Sequence, residues 1–438
     1  MRPHAIDRWR MRAGWVVVAV LAAVSVEADA QTGLLPSLFP EGVPGYDTAP
    51  GVTVRSRLHP NLTAAGLRFR ALQIFPTLDI ATGYDSNVLG NAAAGRRGSW
   101  QLTTAPGIAA STDWSRNQIG AAASLQAVEY FGLPDQSQVN GSAAAGGRLD
   151  IGRDQLTIAA AHTSQHENGG AVNTIATTRP IAFQLDDLRA AYAFNRGRWN
   201  LTPALILSGW RYGDATINGL PTSQAYRDRL VTTGSVTVRY ELAPLRNILL
   251  VTRAIGQRYP HIPAGQPTSN SQGYQLLAGL DYDDNAVWRW RLLLGGEARL
   301  FSAPVYRPRN TVIAEAEVTW FPTPLTTMRF TLSRGTEDAA QEGVAGLIYT
   351  TAVLGIDHEL RRDLLLAGHA GFQQASYFGG GRQTGYTVGV GMTWTLNRYA
   401  RVSLTYDQTG LRGGQSAAQP LATDNNRGVS LLTFRLGL

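Results

Sequence analysis

Residues 384–396 read TGYTVGVGMTWTL. Taken alternately, they separate into two sets. Tyr386, Val388, Val390, Met392, Trp394 and Leu396 form an unbroken apolar series, while Gly385, Thr387, Gly389, Gly391, Thr393 and Thr395 form a small, mildly polar one. Successive side chains of a strand point to opposite faces. The stretch therefore predicts a strand with one greasy face and one face that tolerates water.

The pattern recurs. In VWRWRLLLGGEARLF (287–301), Trp288, Trp290, Leu292, Leu294, Ala298 and Leu300 oppose Arg289, Arg291, Glu297 and Arg299. In TVIAEAEVTWF (311–321), Val312, Ala314, Ala316, Val318 and Trp320 oppose Glu315, Glu317 and Thr319. In VSLTYDQT (402–409), Val402, Leu404 and Tyr406 oppose Ser403, Thr405 and Asp407. The chain ends in VSLLTFRLGL, with Leu432, Phe434, Leu436 and Leu438 on one side.

The connections between these segments take turns in length. GRD (152–154), NRGR (195–198), APLRN (243–247), DDNA (283–286), PTPL (322–325), RRD (361–363) and NRYA (397–400) are tight. HENGGAVNTIATT (166–178), GDATINGLPTSQAY (213–226), PHIPAGQPTSNSQ (260–272) and GLRGGQSAAQPLATDNN (410–426) are long and rich in Gly, Pro, Ser and Asn. Short–long alternation is the mark of an up-and-down barrel with short periplasmic turns and long outer loops. Trp199, Tyr240, Trp288, Trp320 and Trp394 stand beside tight turns, where an interfacial aromatic girdle belongs.

The N-terminus addresses the chain. MRPHAIDRWRMR carries four arginines, AGWVVVAVLAAVSV follows as an apolar run, and Ala28-Asp29-Ala30 makes an A-x-A site before Gln31. This is the three-part pattern of a cleaved secretory signal, with an apolar core shorter than the ~20 residues a spanning helix needs. Charged residues make up only 16% of the 438, against roughly 25% in soluble domains, so much of the surface is uncharged. There is no Cys, hence no disulfide and no lipidated N-terminal Cys anchor. The formal charge is +7 and every basic side chain other than His is Arg. These arginines are scattered and form no run, so nucleic acid is not an expected partner.

Backbone groups in a bilayer must all be paired, so such a sheet has to close. The expected fold is all-β, a transmembrane antiparallel up-and-down β-barrel of about 18 strands (16–18) in the outer membrane of a Gram-negative bacterium. The expected divisions are 1–30 signal peptide, 31–70 periplasmic N-terminal segment and 71–438 barrel. Residues 31–70 are too few for a plug domain. Side chains cannot fill a barrel of this size, so the default is a water-filled channel.

By alternation the lumen receives Arg239, Arg289, Arg291, Glu297, Arg299, Glu315, Glu317, Arg329 and Asp407, together with Glu241, Asp281, Asp283, Asp357, Glu359 and Arg435. Facing charges can pair across strands or set the field that selects solutes. The signs are mixed, which does not favour strong selectivity for anions or cations. No nucleophile-and-base cluster, phosphate loop or zinc motif is present, so neither enzyme activity nor a cofactor is expected. His162 and His166 lie four apart, ~13 Å along a strand, too far to share a metal.

Residues 52–88 read VTVRSRLHPNLTAAGLRFRALQIFPTLDIATGYDSNV. This resembles the opening segment of an outer-membrane family named putative beta-barrel porin. The matching residues are Arg55, Arg57, Pro60, Gly66, Arg68, Pro76, Tyr84, Asp85, Asn87 and Val88. Arg70 stands where Gly is usual and Leu72 where Phe is usual. The resemblance implies a single barrel of a kind often encoded near exopolysaccharide synthesis genes. Read from the residues, Pro76 suits an early strand position and Asp85 and Asn87 suit an Asx turn into a loop.

The functional expectation is a porin-like channel for small hydrophilic solutes or a saccharide chain. The alternative is a non-transporting scaffold of an exopolysaccharide secretion complex. Expected partners are outer-membrane lipid and lipopolysaccharide, the barrel-assembly machinery and polysaccharide export components.

Overall fold

A computed structural model describes residues 39, 42–46, 53–57, 62–167, 169–217, 219–283, 287–413, 421–422 and 424–438. The expected signal peptide lies outside the described residues. Eighteen long antiparallel strands close into a barrel. The first six are β1 Leu72–Asp85, β2 Ser99–Thr112, β3 Gln118–Tyr130, β4 Gln138–Ile151, β5 Asp154–Glu167 and β6 Ile181–Arg196. The next six are β7 Trp199–Tyr212, β8 Arg229–Ala243, β9 Arg246–Arg258, β10 Ser271–Asp283, β11 Trp288–Phe301 and β12 Arg309–Thr323. The last six are β13 Thr326–Glu337, β14 Leu347–Arg361, β15 Leu364–Tyr377, β16 Arg382–Thr395, β17 Ala400–Gly413 and β18 Asn425–Gly437.

Each strand pairs with its neighbours in sequence, and β1 pairs with β18 from Thr77↔Gly437 to Asp85↔Val429. That last ladder removes both sheet edges, as a bilayer requires. The Tyr84-Asp85-Ser86-Asn87-Val88 motif reinforces the seam. Asn87 N donates to Asp85 Oδ1 at 2.9 Å, which makes the expected Asx turn. Arg427 of β18 donates to Asp85 Oδ2 at 2.7 Å, and Asn87 Nδ2 donates to the Asn426 carbonyl at 3.0 Å. Pro76 sits one residue before pairing with β18 begins, so its missing N–H costs no bond there. Arg70 closes the hairpin between a short strand, Leu67–Phe69, and β1 with φ 55°. That left-handed backbone explains why glycine suits the position.

Two-residue turns at 152–153, 197–198, 244–245, 324–325 and 362–363 lie on one rim. The long connections lie on the other, with one exception. β15 and β16 are joined by only 378–381, where Gly380 and Gly381 take φ 95° and 92°. Glycine permits that backbone, so the alternation of lengths is not strict.

The outward face is the apolar one. In β16, Val388 is 50% and Val390 61% exposed, in the company of Met392 and Trp394. The girdle residues cluster at the short-turn rim: Trp199 lies 4.6 Å from Tyr240, Trp288 stacks on Trp320 at 5.1 Å, and Trp394 Nε1 donates to Asp363. On the inner face, a Cβ on Gly389 would lie 2.1 Å from Asp407 Oδ1 and 2.2 Å from His369 Cε1. Glycine there leaves room for the His369–Asp407 pair at 3.1 Å.

This sidedness has a measurable consequence. Val390→Arg should destabilise the folded barrel by roughly 2–4 kcal/mol, the midplane penalty for a lipid-facing cation. Thr387→Arg, on the inner face, should cost much less. Urea unfolding in lipid vesicles measures both, and equal losses would reject the face assignment.

Candidate functional site: the barrel lumen

The inner wall of β8–β17 is a lattice of ion pairs. Arg239 meets Asp281 at 2.9 Å, Arg291 meets Glu317 at 3.4 Å and Arg329 meets Asp357 at 3.1 Å. The side chains of Arg239, Arg291 and Arg329 keep 44%, 49% and 46% of their surface exposed. They face a space wide enough for water. Glu315 stands opposite Leu293 of β11, and its carboxylate reaches past that strand. It takes both guanidinium nitrogens of Arg253, on β9, at 2.5 and 3.1 Å. Arg289 stands opposite Thr319, and Glu297, 5% exposed, accepts from Gln275 at 3.0 Å.

Beneath these charges lies a feature that alternation alone did not bring out. Leu249, Val251, Leu277, Leu293 and Ile313 form a buried apolar cluster on the inward side of β9–β12. Gly279 and Gly295 allow it, since a Cβ on either would lie 1.9 Å from a neighbouring carbonyl oxygen.

The second departure concerns the stretch 31–70. Its residues 39, 42–46 and 53–57 lie against the inner wall and not apart from the barrel in the periplasm. Phe39, Val43 and Tyr46 are buried with Ala122, Ala144, Ala159 and Ala161. Tyr46 Oη donates to Asp187 Oδ1 at 3.0 Å, and the Arg189 guanidinium lies 4.6 Å over the Tyr46 ring and 5.0 Å over Phe39. Further along, Val54 N donates to Thr327 Oγ1 at 3.0 Å and Arg55 pairs with Asp357 at 2.7 Å. The wall is shaped for this. GAAAS (120–124) and GSAAAGG (141–147) present only small side chains inward, and a Cβ on Gly146 would lie 2.0 Å from the Pro44 carbonyl oxygen.

The opposite end is narrowed by the long loops. Asn173 is central: its N donates to Gln383 Oε1 at 2.8 Å, its Nδ2 donates to the Asp338 carbonyl at 3.0 Å, and its Oδ1 accepts from Ala340 N at 3.0 Å. Ile175 bridges Leu421, and Gln383 donates to the Ala422 carbonyl at 2.9 Å. Around this knot lies a buried ionic cluster. Glu167 takes Arg227 in a bidentate pair at 2.7 and 2.9 Å. Asp338 holds Arg229 at 2.8 Å and Arg299 at 2.7 Å. Arg227 lies 4.0 Å over Tyr212 and Arg229 4.7 Å over Trp210. Arg299, expected as a wet lumen residue, is thus 3% exposed in this cluster. Burial also pushes the Tyr226 and Tyr259 hydroxyls above their ordinary value, so both stay protonated. Tyr226 Oη donates to the Ala340 carbonyl at 2.7 Å, tying another loop to the knot.

No group of three or more side chains able to hold a metal occurs among the described residues. Asp407 pairs with His369 at 3.1 Å.

Three solved structures illustrate the likeness in shape. The outer membrane protein opdK from Pseudomonas aeruginosa matches at 9% identity and TM-score 0.43, covering 84% of this chain and 99% of that one. OccK2 (OpdF) from Pseudomonas aeruginosa matches at 10% and 0.45, covering 83% and 98%. A BenF-like porin from Pseudomonas fluorescens Pf-5 matches at 10% and 0.44, covering 84% and 99%. No curated protein matches the sequence. The model of the family Putative beta-barrel porin 2 matches residues 59–427. With a closed barrel, an apolar outer band and a charged lumen, the chain belongs to that family, an outer-membrane porin family and not one of enzymes.

Proposed function

We propose that this protein is an outer-membrane channel for small hydrophilic solutes. Its narrow parts are the N-terminal segment at the short-turn end and the folded-in loops at the other. The observation that carries the reading is the half-exposed ionic wall, Arg239, Arg291 and Arg329 with their acids, inside a closed barrel. A lumen of paired charges favours hydrated polar solutes over apolar ones and holds no strong net field. A saccharide chain is the larger candidate cargo. Vesicles loaded with the purified protein should swell in small sugars and more slowly as the sugar lengthens. Swelling no faster than in protein-free vesicles would reject the reading.

The wall charges set selectivity. Replacing Arg239, Arg291 and Arg329 together by Gln frees Asp281, Glu317 and one contact of Asp357. Reversal potentials in planar bilayers should move toward cations. The shift should shrink in 1 M salt, where the Debye length falls to ~3 Å. An unchanged potential at low salt would place the ion path elsewhere.

One observation favours a second reading, a non-transporting scaffold of an exopolysaccharide secretion complex: chain segments pack into the barrel at both ends. On either reading the proposed route is export behind a cleaved signal at 1–30 and insertion by the barrel-assembly machinery. The apolar band then meets lipid and lipopolysaccharide, and export components are candidate partners.

A further inference from the structure

A crevice of about 140 Å³ opens between the N-terminal segment and the inner wall of β14–β18 at the short-turn end. Six arginines line it: Arg55, Arg57, Arg361, Arg362, Arg401 and Arg435. Four are matched by acids. Arg55 meets Asp357 at 2.7 Å, Arg57 meets Glu359 at 3.5 Å, Arg361 meets Asp363 at 3.0 Å, and Arg435 meets Asp79 at 2.5 Å. Arg401 and Arg362 have no hydrogen bond or ion pair among the described residues.

Arg401 is the informative one. It is half-buried and stands directly across from Arg435, a like charge on the next strand. Like charges opposite one another destabilise a sheet, and the nearby Asp79, already held by Arg435, offsets that repulsion and the desolvation of Arg401 only in part. A second donor is also unmet: Arg55 Nε is buried without a hydrogen-bond partner. Thr393, Thr395, Ser403 and Thr433 add hydroxyls to the wall, and the carboxylates of Glu359 and Asp363, each held by an arginine, also line it. A guanidinium fork matches the paired oxygens of a carboxylate or phosphate.

We infer that this crevice is a binding site for a soluble anion bearing a carboxylate or phosphate group, with Arg401 as its central contact and Arg55 and Arg362 at its edges. Its position settles the source. The lining side chains of β16–β18 alternate with the outward Trp394, Leu404, Phe434 and Leu436, so the site faces the lumen and bilayer headgroups do not reach it. The site goes beyond the channel reading and does not depend on it, because an anion can occupy the crevice of a barrel that passes nothing.

The test is equilibrium binding to the purified full chain in a neutral detergent, by titration calorimetry with inorganic phosphate, then succinate, with glucose as the uncharged control. Saturable binding of phosphate or succinate and none of glucose is expected. Arg401→Gln should weaken it roughly tenfold or more, the effect of losing a hydrogen bond to a charged group. Heat-modifiable gel mobility reports whether the barrel is folded. Arg401→Gln should fold at least as well as the native chain, since it removes a like-charge contact. If it does not fold, Arg362→Gln, on the exposed turn, serves instead and should still weaken binding. No saturable anion binding, or anion binding unchanged in a folded variant, would overturn the inference.

Discussion

Gly146→Val is expected to unseat the N-terminal segment and raise the conductance of the barrel. A Cβ at residue 146 would lie 2.0 Å from the Pro44 carbonyl oxygen and 3.1 Å from Ala159 Cβ. The glycine has ordinary extended backbone, so the change adds bulk without backbone strain. Overpacking typically costs about 1–3 kcal/mol. Here the seated segment can leave while the hydrogen-bonded wall stays put. A cost of that size shifts occupancy by roughly 5- to 150-fold. Tyr46 then loses Asp187 and the Arg189 guanidinium, and protease should cut near residues 42–46 in the variant far faster than in the native chain. Urea unfolding of the barrel should be little changed. A variant with native conductance and native cleavage would mean that the segment does not occupy the path.

Asp338→Ala should loosen the far end by a comparable or larger amount. Asp338 is 7% exposed and sits between Arg229 and Arg299, themselves 4% and 3% exposed. Removing one partner of a buried ion pair costs about 3–5 kcal/mol, because the remaining charge is left uncompensated in a poorly solvated place. Two arginines lose an acid here. They regain water if the loop knot around Asn173 opens, so the cost appears as loop opening before it appears as barrel unfolding. Faster proteolysis of 169–178 and 338–346 on intact cells, with a rise in conductance, is the expected pair of results. Asp338→Asn, which keeps acceptor and shape but not charge, should fall between native and Ala. If Ala leaves loop cleavage and current unchanged, the cluster does not hold the mouth.

The wall of this protein was legible in its sequence, and the filling of the wall was not. Trp288 to Leu300 and Tyr386 to Leu396 advertise their outward face because lipid demands an unbroken apolar series and the strand period is two. Residues 152–153 and 197–198 advertise their rim because short turns need few residues. Arg291 and Glu317 could be paired from register alone, since they are direct neighbours on β11 and β12. The partnership of Arg253 with Glu315 spans strands that are not adjacent, and nothing periodic records it. The small residues of 120–124 and 141–147 read as featureless until Val43, Pro44 and Tyr46 are laid against them. Likewise 169–178 and 338–346 carry the composition of solvent-facing loops. Their polar groups are satisfied by one another inside the mouth, a non-local arrangement that composition does not encode. Even Arg70 was visible only as a departure from glycine until its φ of 55° gave the reason.

The central claim is that a wet, charge-lined lumen runs through this barrel and is narrowed by its own N-terminal segment and loops. Single-channel recording of the purified full chain in a planar bilayer addresses it most directly, with Gly146→Val and Asp338→Ala recorded beside it. The account predicts small, discrete current steps for the native chain, larger ones for each variant, and partial block on adding oligosaccharide. Silence from the native chain and from both variants, with the barrels shown to be inserted and folded, would contradict it.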